Sequence, residues 1–372
     1  MSSSISPFYR PGVFPALSSR LLTTASQSLR AAIQQQLILK SFYSTPLRVT
    51  GLPLTTTKGF TYLIAASWHP KKRRSSVPIT NNNLWLKERM KVGKVDAGED
   101  AFFYVGTHEG VALGVADGVG GWTQMGIDPA TFSWALMDNA ASIAKEFSSF
   151  KLPLFHAPNG CNDILDAKQI LNGAFDKLIK SGKVKAGSST ACILSLSKTS
   201  GILNAATLGD SAYLLIRNGQ LLYESPSQQH FFNCPYQLTV IPEDFPNQKL
   251  YFKDRPSDAY QANHQLQDGD VILLATDGFF DNVFTEEAVS IVNHELRDVI
   301  GRDRKVWDND IEELRSHVRK LSRTLTNTAR RCSMDPKRVS PFAQSARKSG
   351  ESRIGGKIDD ITVLVTLVQE NL

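Results

Sequence analysis

The sequence predicts an α+β protein in which sheet strands form the core and helices lie outside. Three observations carry this. Short apolar runs of strand length, separated by Gly, Asn and Asp, dominate residues 101–116 and 189–224. Helical periodicity appears in four separate stretches. The strands come in groups, a pair and then a meander, instead of alternating one for one with helices.

Taken in order, 101–105 and 111–115 read as strands around a turn at 108–110. The meander follows at 190–196, Ile202–Leu208, Ala212–Arg217 and 220–223. Its turns fall at 199–201, at Gly209 with Asp210, and at Asn218 with Gly219. Asn-Gly is a strong hairpin signal, because both turn positions need a left-handed backbone. The helical stretches are 129–147, 166–180, 285–297 and 309–330, and two further apolar strands lie at 271–276 and 361–368. No internal repeat is visible.

The 372 residues are 41% hydrophobic and 21% charged, an ordinary globular composition. No run approaches the roughly 18 apolar residues of a membrane span. The net charge of +6 is the sum of two unlike parts. Residues 1–87 hold no Asp or Glu and eleven Lys and Arg, which leaves 31 of the 42 basic residues against all 36 acidic ones in the remainder. The folded part is therefore acidic, which argues against a nucleic-acid-binding domain. Cys161, Cys192, Cys234 and Cys332 show no CxxC spacing, so neither a zinc framework nor a disulfide scaffold is expected.

The acid-free start is rich in Ser and Thr and carries Arg10, Arg20 and Arg30, the composition of a mitochondrial transit peptide. Leu17, Leu21, Leu29, Ile33 and Leu37 recur at multiples of four, which places them near one helical face. The KSFYST stretch resembles a matrix-peptidase site, with cleavage near Tyr43 and Ser44. The organisation expected is a removed presequence over 1–43, a basic linker or domain entry over 44–87, and a catalytic domain over 88–372. The basic cluster Lys71, Lys72, Arg73 and Arg74 reads as a solvated loop ahead of that domain.

The chemistry lies in the aspartates. Four strand-like runs lead into or out of an acid at a turn: LGVADGVGG with Asp117, NAATLGDSA with Asp210, ILLATDGFFDN with Asp277, and KIDDITVLV with Asp359 and Asp360. Glu99 and Asp100 add an acidic pair at a strand start. One Asp-Gly is only a turn. Several carboxylates at strand ends can converge, and converging carboxylates repel unless cations stand between them. All-oxygen donors suit Mg²⁺ or Mn²⁺. Two such ions can activate water and clamp a phosphoryl group. No P-loop and no HExxH spacing is present.

In order, GED, ADGVGG, GSST, LGDS, ATDGFFDN and GGKIDDIT resemble the successive motifs of the protein phosphatase 2C family, spanning 98–365. ADGVGGW, with Trp122, is similar to the mitochondrial branch. The resemblance implies two packed antiparallel β-sheets flanked by α-helices, with a dinuclear metal site at one end. It implies that Asp117 bridges both ions, that the Gly118 carbonyl binds one, and that Asp277 and Asp359 are direct ligands. Glu99 and Asp100 would bind through waters, and Asp210 with Asp277 would hold a weaker third ion, with Asp281 in support. Asp360 would hold the strand end. GSST would pack the sheet near the site, and Trp122 would pack beneath the site loop.

The activity implied is hydrolysis of phosphoserine and phosphothreonine on mitochondrial proteins by a metal-bound hydroxide, in a matrix monomer using Mn²⁺ or Mg²⁺ and no organic cofactor. Two positions depart from the family. Val95 stands where many members carry a phosphate-gripping Arg, which shifts that task to the metals or to Lys91 or Lys94. Val119 stands where many carry a His acid. The alternatives are a pseudophosphatase acting as a binding module and a dinuclear hydrolase of nucleotides or sugar phosphates. The basic residues over 315–353, from Arg315 through Lys320 and Arg338 to Arg353, read as a solvated helix face followed by a loop, with a surface for acidic segments as the other reading.

Overall fold

The computed structural model describes residues 59–71, 96–149, 166–246, 248–299 and 311–371. The expected presequence over 1–43, Lys91, Lys94 and Val95 lie outside them.

Two five-stranded antiparallel sheets carry the fold. The strands are β1 (Gly59–His69), β2 (Asp100–Gly106), β3 (Gly110–Asp117), β4 (Gly187–Ser189), β5 (Ala191–Ser197), β6 (Ile202–Leu208) and β7 (Ala212–Arg217). They continue with β8 (Gln220–Glu224), β9 (Gln229–Phe231), β10 (Cys234–Pro235), β11 (Leu238–Val240), β12 (Tyr260–Gln265), β13 (Val271–Ala275) and β14 (Ile361–Asn371). One sheet runs β1-β14-β13-β7-β8 and the other β12-β6-β5-β3-β2. The helices are α1 (Ala130–Ser149), α2 (Ala167–Ser181), α3 (Asp277–Phe280), α4 (Thr285–Glu295), α5 (Ile311–Ser333) and α6 (Pro341–Lys348).

Burial explains the layering. Tyr62, Ile64, Leu113, Leu194, Tyr213, Ile272 and Leu364 fill the space between the sheets. Phe103, Ile193 and Ala206 point the other way, against Trp134 and Leu136 of α1 and Leu171 of α2. Leu63, Leu273 and Val365 meet Val292 of α4 and Leu314, Val318 and Leu321 of α5. Every central strand is thus apolar on both faces, which is why so few of them alternate in sequence.

The meander forms where expected. Asn218 (φ 52°) and Gly219 (φ 74°) both adopt the left-handed backbone their hairpin requires. Asp166 starts α2 by accepting from the Lys168 and Gln169 amides.

Three elements depart from expectation. Residues 59–69, which fall within the expected basic linker or domain entry over 44–87, are β1, paired along its whole length with β14. From Tyr62 through Ala66 its run is apolar without a break and gave no periodic signal. The polar edge strand β12 is largely exposed and pairs with β6. Pro341–Lys348, expected as loop, is a helix capped by the Ser340 hydroxyl. The basic face of α5 is solvated as read, with Lys320, Arg323 and Arg331 exposed. Among the described residues no helix is long and apolar enough to cross a membrane.

Candidate active site

The acids gather at one end of the sandwich because strand ends from both sheets meet there. Asp100 opens β2 and Asp117 closes β3, and the two are register partners. Asp277 opens α3 directly after β13, and Asp359 and Asp360 precede β14. Asp210 lies in the turn between β6 and β7, beside a cleft of about 320 Å³ lined also by Asp281, Gln229, Phe232 and Phe342.

The GSST motif fixes Asp117 from behind. The Asp117 amide donates to Thr190 Oγ1 (3.1 Å) and its carbonyl accepts from Ser189 Oγ (2.8 Å). Thr190 in turn shares a hydrogen bond with Ser211 (2.8 Å). The expected packing role of GSST therefore has a target, the backbone of the acid. Gly118 bridges to Ser189, and its amide donates to the Glu99 carbonyl (3.1 Å). Trp122 is buried, donates to Ser188 Oγ (2.7 Å) and stacks on Tyr251.

Asp100 is fully buried between the sheets. Its Oδ2 accepts from Thr276 Oγ1 (2.8 Å) and Thr362 Oγ1 (2.7 Å), both on the opposite sheet. Asp360 accepts from the Lys71 amide (2.7 Å) and the Glu99 amide (2.9 Å), so it ties β1, the GED turn and β14 together. That matches its expected role at the strand end. Gly98 permits this: at φ +79° a Cβ would fall 2.1 Å from Asp360 Oδ1.

Two lysines missed in the sequence complete the cluster. Lys71 Nζ lies 2.7 Å from Glu99 Oε2 and 3.1 Å from Asp359 Oδ1. It belongs to the basic cluster read as a solvated loop; the rest of that cluster lies outside the described residues. It stands two residues after the end of β1, a strand that the sequence pattern did not reveal. Lys357 Nζ lies 2.5 Å from Asp277 Oδ2, 2.7 Å from Asp281 Oδ2 and 3.2 Å from Asp359 Oδ2. It stands inside the quoted GGKIDDIT motif, unused.

The electrostatics sort the acids. Burial, with Asp360 nearby, holds Asp100 well above the usual carboxylate range. Asp117 keeps some solvent contact, yet the protein packed around it and the Asp277 and Asp100 carboxylates hold it well above that range too. Burial, Asp277 and Asp281 do the same to Asp210. Asp277 goes the other way: burial would raise it, but the Lys357 ammonium outweighs that and leaves it lowered. Burial lifts Asp281 to about 7 against the pull of Lys357. Burial lifts Asp360 to about 6 against Lys71.

The donor set fits hard divalent ions. Every acid oxygen is a hard ligand, and Asp100 Oδ1, Asp210 Oδ1 and Asp277 Oδ1 are buried with no hydrogen-bond partner. Among the described residues, Lys71 pairs with Glu99, Asp359 and Asp360, and Lys357 with Asp277, Asp281 and Asp359, so two ammoniums stand against a cluster of eight acids. Two like charges about 4 Å apart cost about 4 kcal/mol at an effective dielectric of 20. Among the described residues no three of these groups already form a coordination shell; Asp277, Asp281 and Asp359 are ion-paired with Lys357.

No family model matches the chain. Among solved structures, the photosystem II phosphatase PBCP aligns with a TM-score of 0.57 at 27% identity, covering 82% of this chain and 98% of that one. The fold is that of the 2C-type protein phosphatases. A protein phosphatase PTC7 homolog (fig) from Drosophila mojavensis is 38% identical over 316 residues, 84% of this chain and 89% of the relative. The Homo sapiens protein phosphatase PTC7 homolog is 36% identical over 273 residues, 73% of this chain and 80% of its own. The chain belongs to the PTC7 protein phosphatases of the 2C family and is a protein-serine/threonine phosphatase.

Proposed function

We propose that this phosphatase hydrolyses phosphoserine and phosphothreonine on mitochondrial matrix proteins at a centre for two divalent ions, Mn²⁺ or Mg²⁺. Asp117, the Gly118 carbonyl, Asp277 and Asp359 would hold the ions directly, Glu99 and Asp100 through water, with Asp210 at the rim. The observation that carries this reading is the set of buried, unpartnered carboxylate oxygens on Asp100, Asp277 and Asp210 around one strand-end cluster. Bound there, the ions supply a water of lowered pKa and neutralise charge on the phosphoryl oxygens.

The chain's own residues do the positioning. Ser189 and Thr190 keep the Asp117 backbone from moving, and Asp360 does so for Glu99. Lys71 sits at the rim, its side chain 27% exposed, and supplies the positive charge for substrate phosphate that Val95 cannot. A covalent cysteine route is disfavoured, because burial pushes the Cys192, Cys234 and Cys332 thiols up, away from the nucleophilic thiolate.

Phosphate release by the full chain from a phosphothreonine peptide, with Mn²⁺, with Mg²⁺ and with EDTA, tests the chemistry. Activity that needs metal and is lost in Asp117→Asn supports it. Activity that persists in EDTA refutes it. The acid-free, Arg-bearing start supports the mitochondrial address. Import into isolated mitochondria with a new N-terminus near Ser44 is the expected result; an uncleaved chain left outside refutes it.

A further inference from the structure

The basic stretch around α5 finds few partners within the fold. Over residues 315–353 eleven Lys and Arg stand against Asp335 and Glu351 alone, in a part of the chain that is otherwise acidic. The fold pairs these cations where an acid is at hand: Arg315 with Glu312, Lys320 with Glu295 of α4, and Arg338 with Glu287. Arg319, Arg323, Arg330 and Arg331 of α5 have no carboxylate partner among the described residues. The same holds for Arg347, Lys348 and Arg353 at and beyond the end of α6. Arg319, Arg323 and Arg330 are spaced by four and seven positions, which places them on one face of the helix. The Nε atoms of Arg319 and Arg330 are buried, so these side chains lie along the protein and have less freedom to lose on pairing.

This face runs to the mouth of the site. Gly356, three residues before Asp359, packs on the end of α5 so closely that a Cβ would meet the Cys332 carbonyl at 2.1 Å. The Arg353 guanidinium lies 4.4 Å from the Phe342 ring centroid, and Phe342 lines the cleft beside Asp210 and Asp281. The reach of three residues and the rise of the helix put Arg330 and Arg319 within about five and about ten extended residues of the acids. The site itself has the opposite charge, since its acids outnumber its two ammoniums. A phosphoprotein brings a further anion toward it, so long-range attraction has to come from cations elsewhere on the surface.

We propose that the α5–α6 face is the docking surface for an acidic segment of the phosphoprotein substrate, about five to ten residues from the phosphorylated side chain. The inference rests on the phosphoprotein reading above. A row of Asp and Glu on an extended chain meets a row of guanidiniums, each able to take a carboxylate in a two-pronged pair. One exposed pair contributes little; several in a row steer the encounter and hold the flanking chain, which acts on KM and leaves the chemical step alone. An anionic membrane would draw on the same cations. The peptide is favoured because the face ends at the cleft where the phosphoryl group must enter, and a bilayer lying along it would crowd that mouth.

The test compares the full chain with Arg323→Glu combined with Arg331→Glu, two exposed positions outside the site. Three substrates are used with Mn²⁺: p-nitrophenyl phosphate, and two phosphothreonine peptides that differ only in a block of Glu or of Ala about five to ten residues from the phosphate. The wild type is expected to favour the Glu peptide by about tenfold in kcat/KM, through KM, with the preference shrinking toward parity in about 0.5 M salt. The double variant loses that preference and keeps wild-type rates on p-nitrophenyl phosphate and the Ala peptide. Arg323→Gln with Arg331→Gln falls between, and decides the matter if the Glu variant does not fold. A wild type without the preference, or folded variants that retain it, overturns the inference and leaves the phosphatase reading standing. So does a wild type that shows no peptide preference but sediments with phosphatidylcholine–phosphatidylserine vesicles when the variant does not, which assigns the face to an anionic membrane. A wild type inactive on all three substrates overturns the phosphatase reading itself.

Discussion

The β2–β3 hairpin and the corner where β13 enters α3 beside β14 deliver the same residue type to one place by different means. On the hairpin, Asp100 is held by the hydroxyls of Thr276 and Thr362, and Asp117 by backbone bonds to Thr190 and Ser189. Both acids are pushed well up. At the corner, Asp277 shares an ammonium with Asp281 and Asp359 and is lowered despite its burial. The charge on each aspartate follows from which cation is in reach, not from depth alone. The hairpin side carries an uncompensated desolvation cost that a bound ion would relieve, whereas the corner is already partly compensated.

The comparison breaks most visibly at Asp277, which belongs to both the lysine cluster and the candidate metal set. Asp277→Asn should lower phosphate release by about a thousandfold or more, measured as kcat/KM with Mn²⁺ in excess; a loss under about tenfold would remove Asp277 from the catalytic set. The hairpin's reliance on hydroxyls is tested by Thr276→Val with Thr362→Val. Urea unfolding should show a loss of about 2–4 kcal/mol, because a buried carboxyl is left without donors. An unchanged midpoint would mean that Asp100 is held by something else.

Asp360→Ala should cost less, about 1–2 kcal/mol for the loss of two backbone bonds, with a drop in kcat smaller than that of Asp277→Asn. Equal drops would make Asp360 part of the chemistry.

His264, remote from both regions, provides the smallest effect and a control. Burial and Arg217 hold its pKa below the ordinary value. The unfolded chain therefore binds a proton first as pH falls, and stability is lost below about pH 6.5. The loss should stay under about 1 kcal/mol, given the partial exposure of the ring, and His264→Gln should flatten that slope in urea melts taken between pH 7 and 5.

Much of the site was legible because it is written in local patterns. Asp117, Asp210, Asp277 and Asp359 each stand where a strand meets a turn, and the strands carrying them were readable as apolar runs. Asp360 was separable from its neighbour Asp359 only through the family resemblance, since the two adjacent acids carry no local difference. The lysines were not legible. Lys71 reads as the first of four basic residues, and nothing local says that its amide and ammonium both face acids 28 to 289 positions away. β1 was hidden inside an acid-free stretch whose composition speaks of targeting, and its two buried faces erase the alternation that marks a half-exposed strand.

By itself the sequence determined which residues could be strand-end carboxylates, where the meander turns, and which family's motif order the chain follows. These depend on neighbours within a few positions, through backbone preference and apolar spacing. Only the tertiary structure decided that β1 completes the sheet beside β14, that Asp100 is caged by hydroxyls from the opposite sheet, and that Lys71 and Lys357 stand among the acids. Those outcomes depend on charges and packing surfaces brought together from distant parts of the chain, and Coulomb forces act on distance in space rather than on separation in sequence.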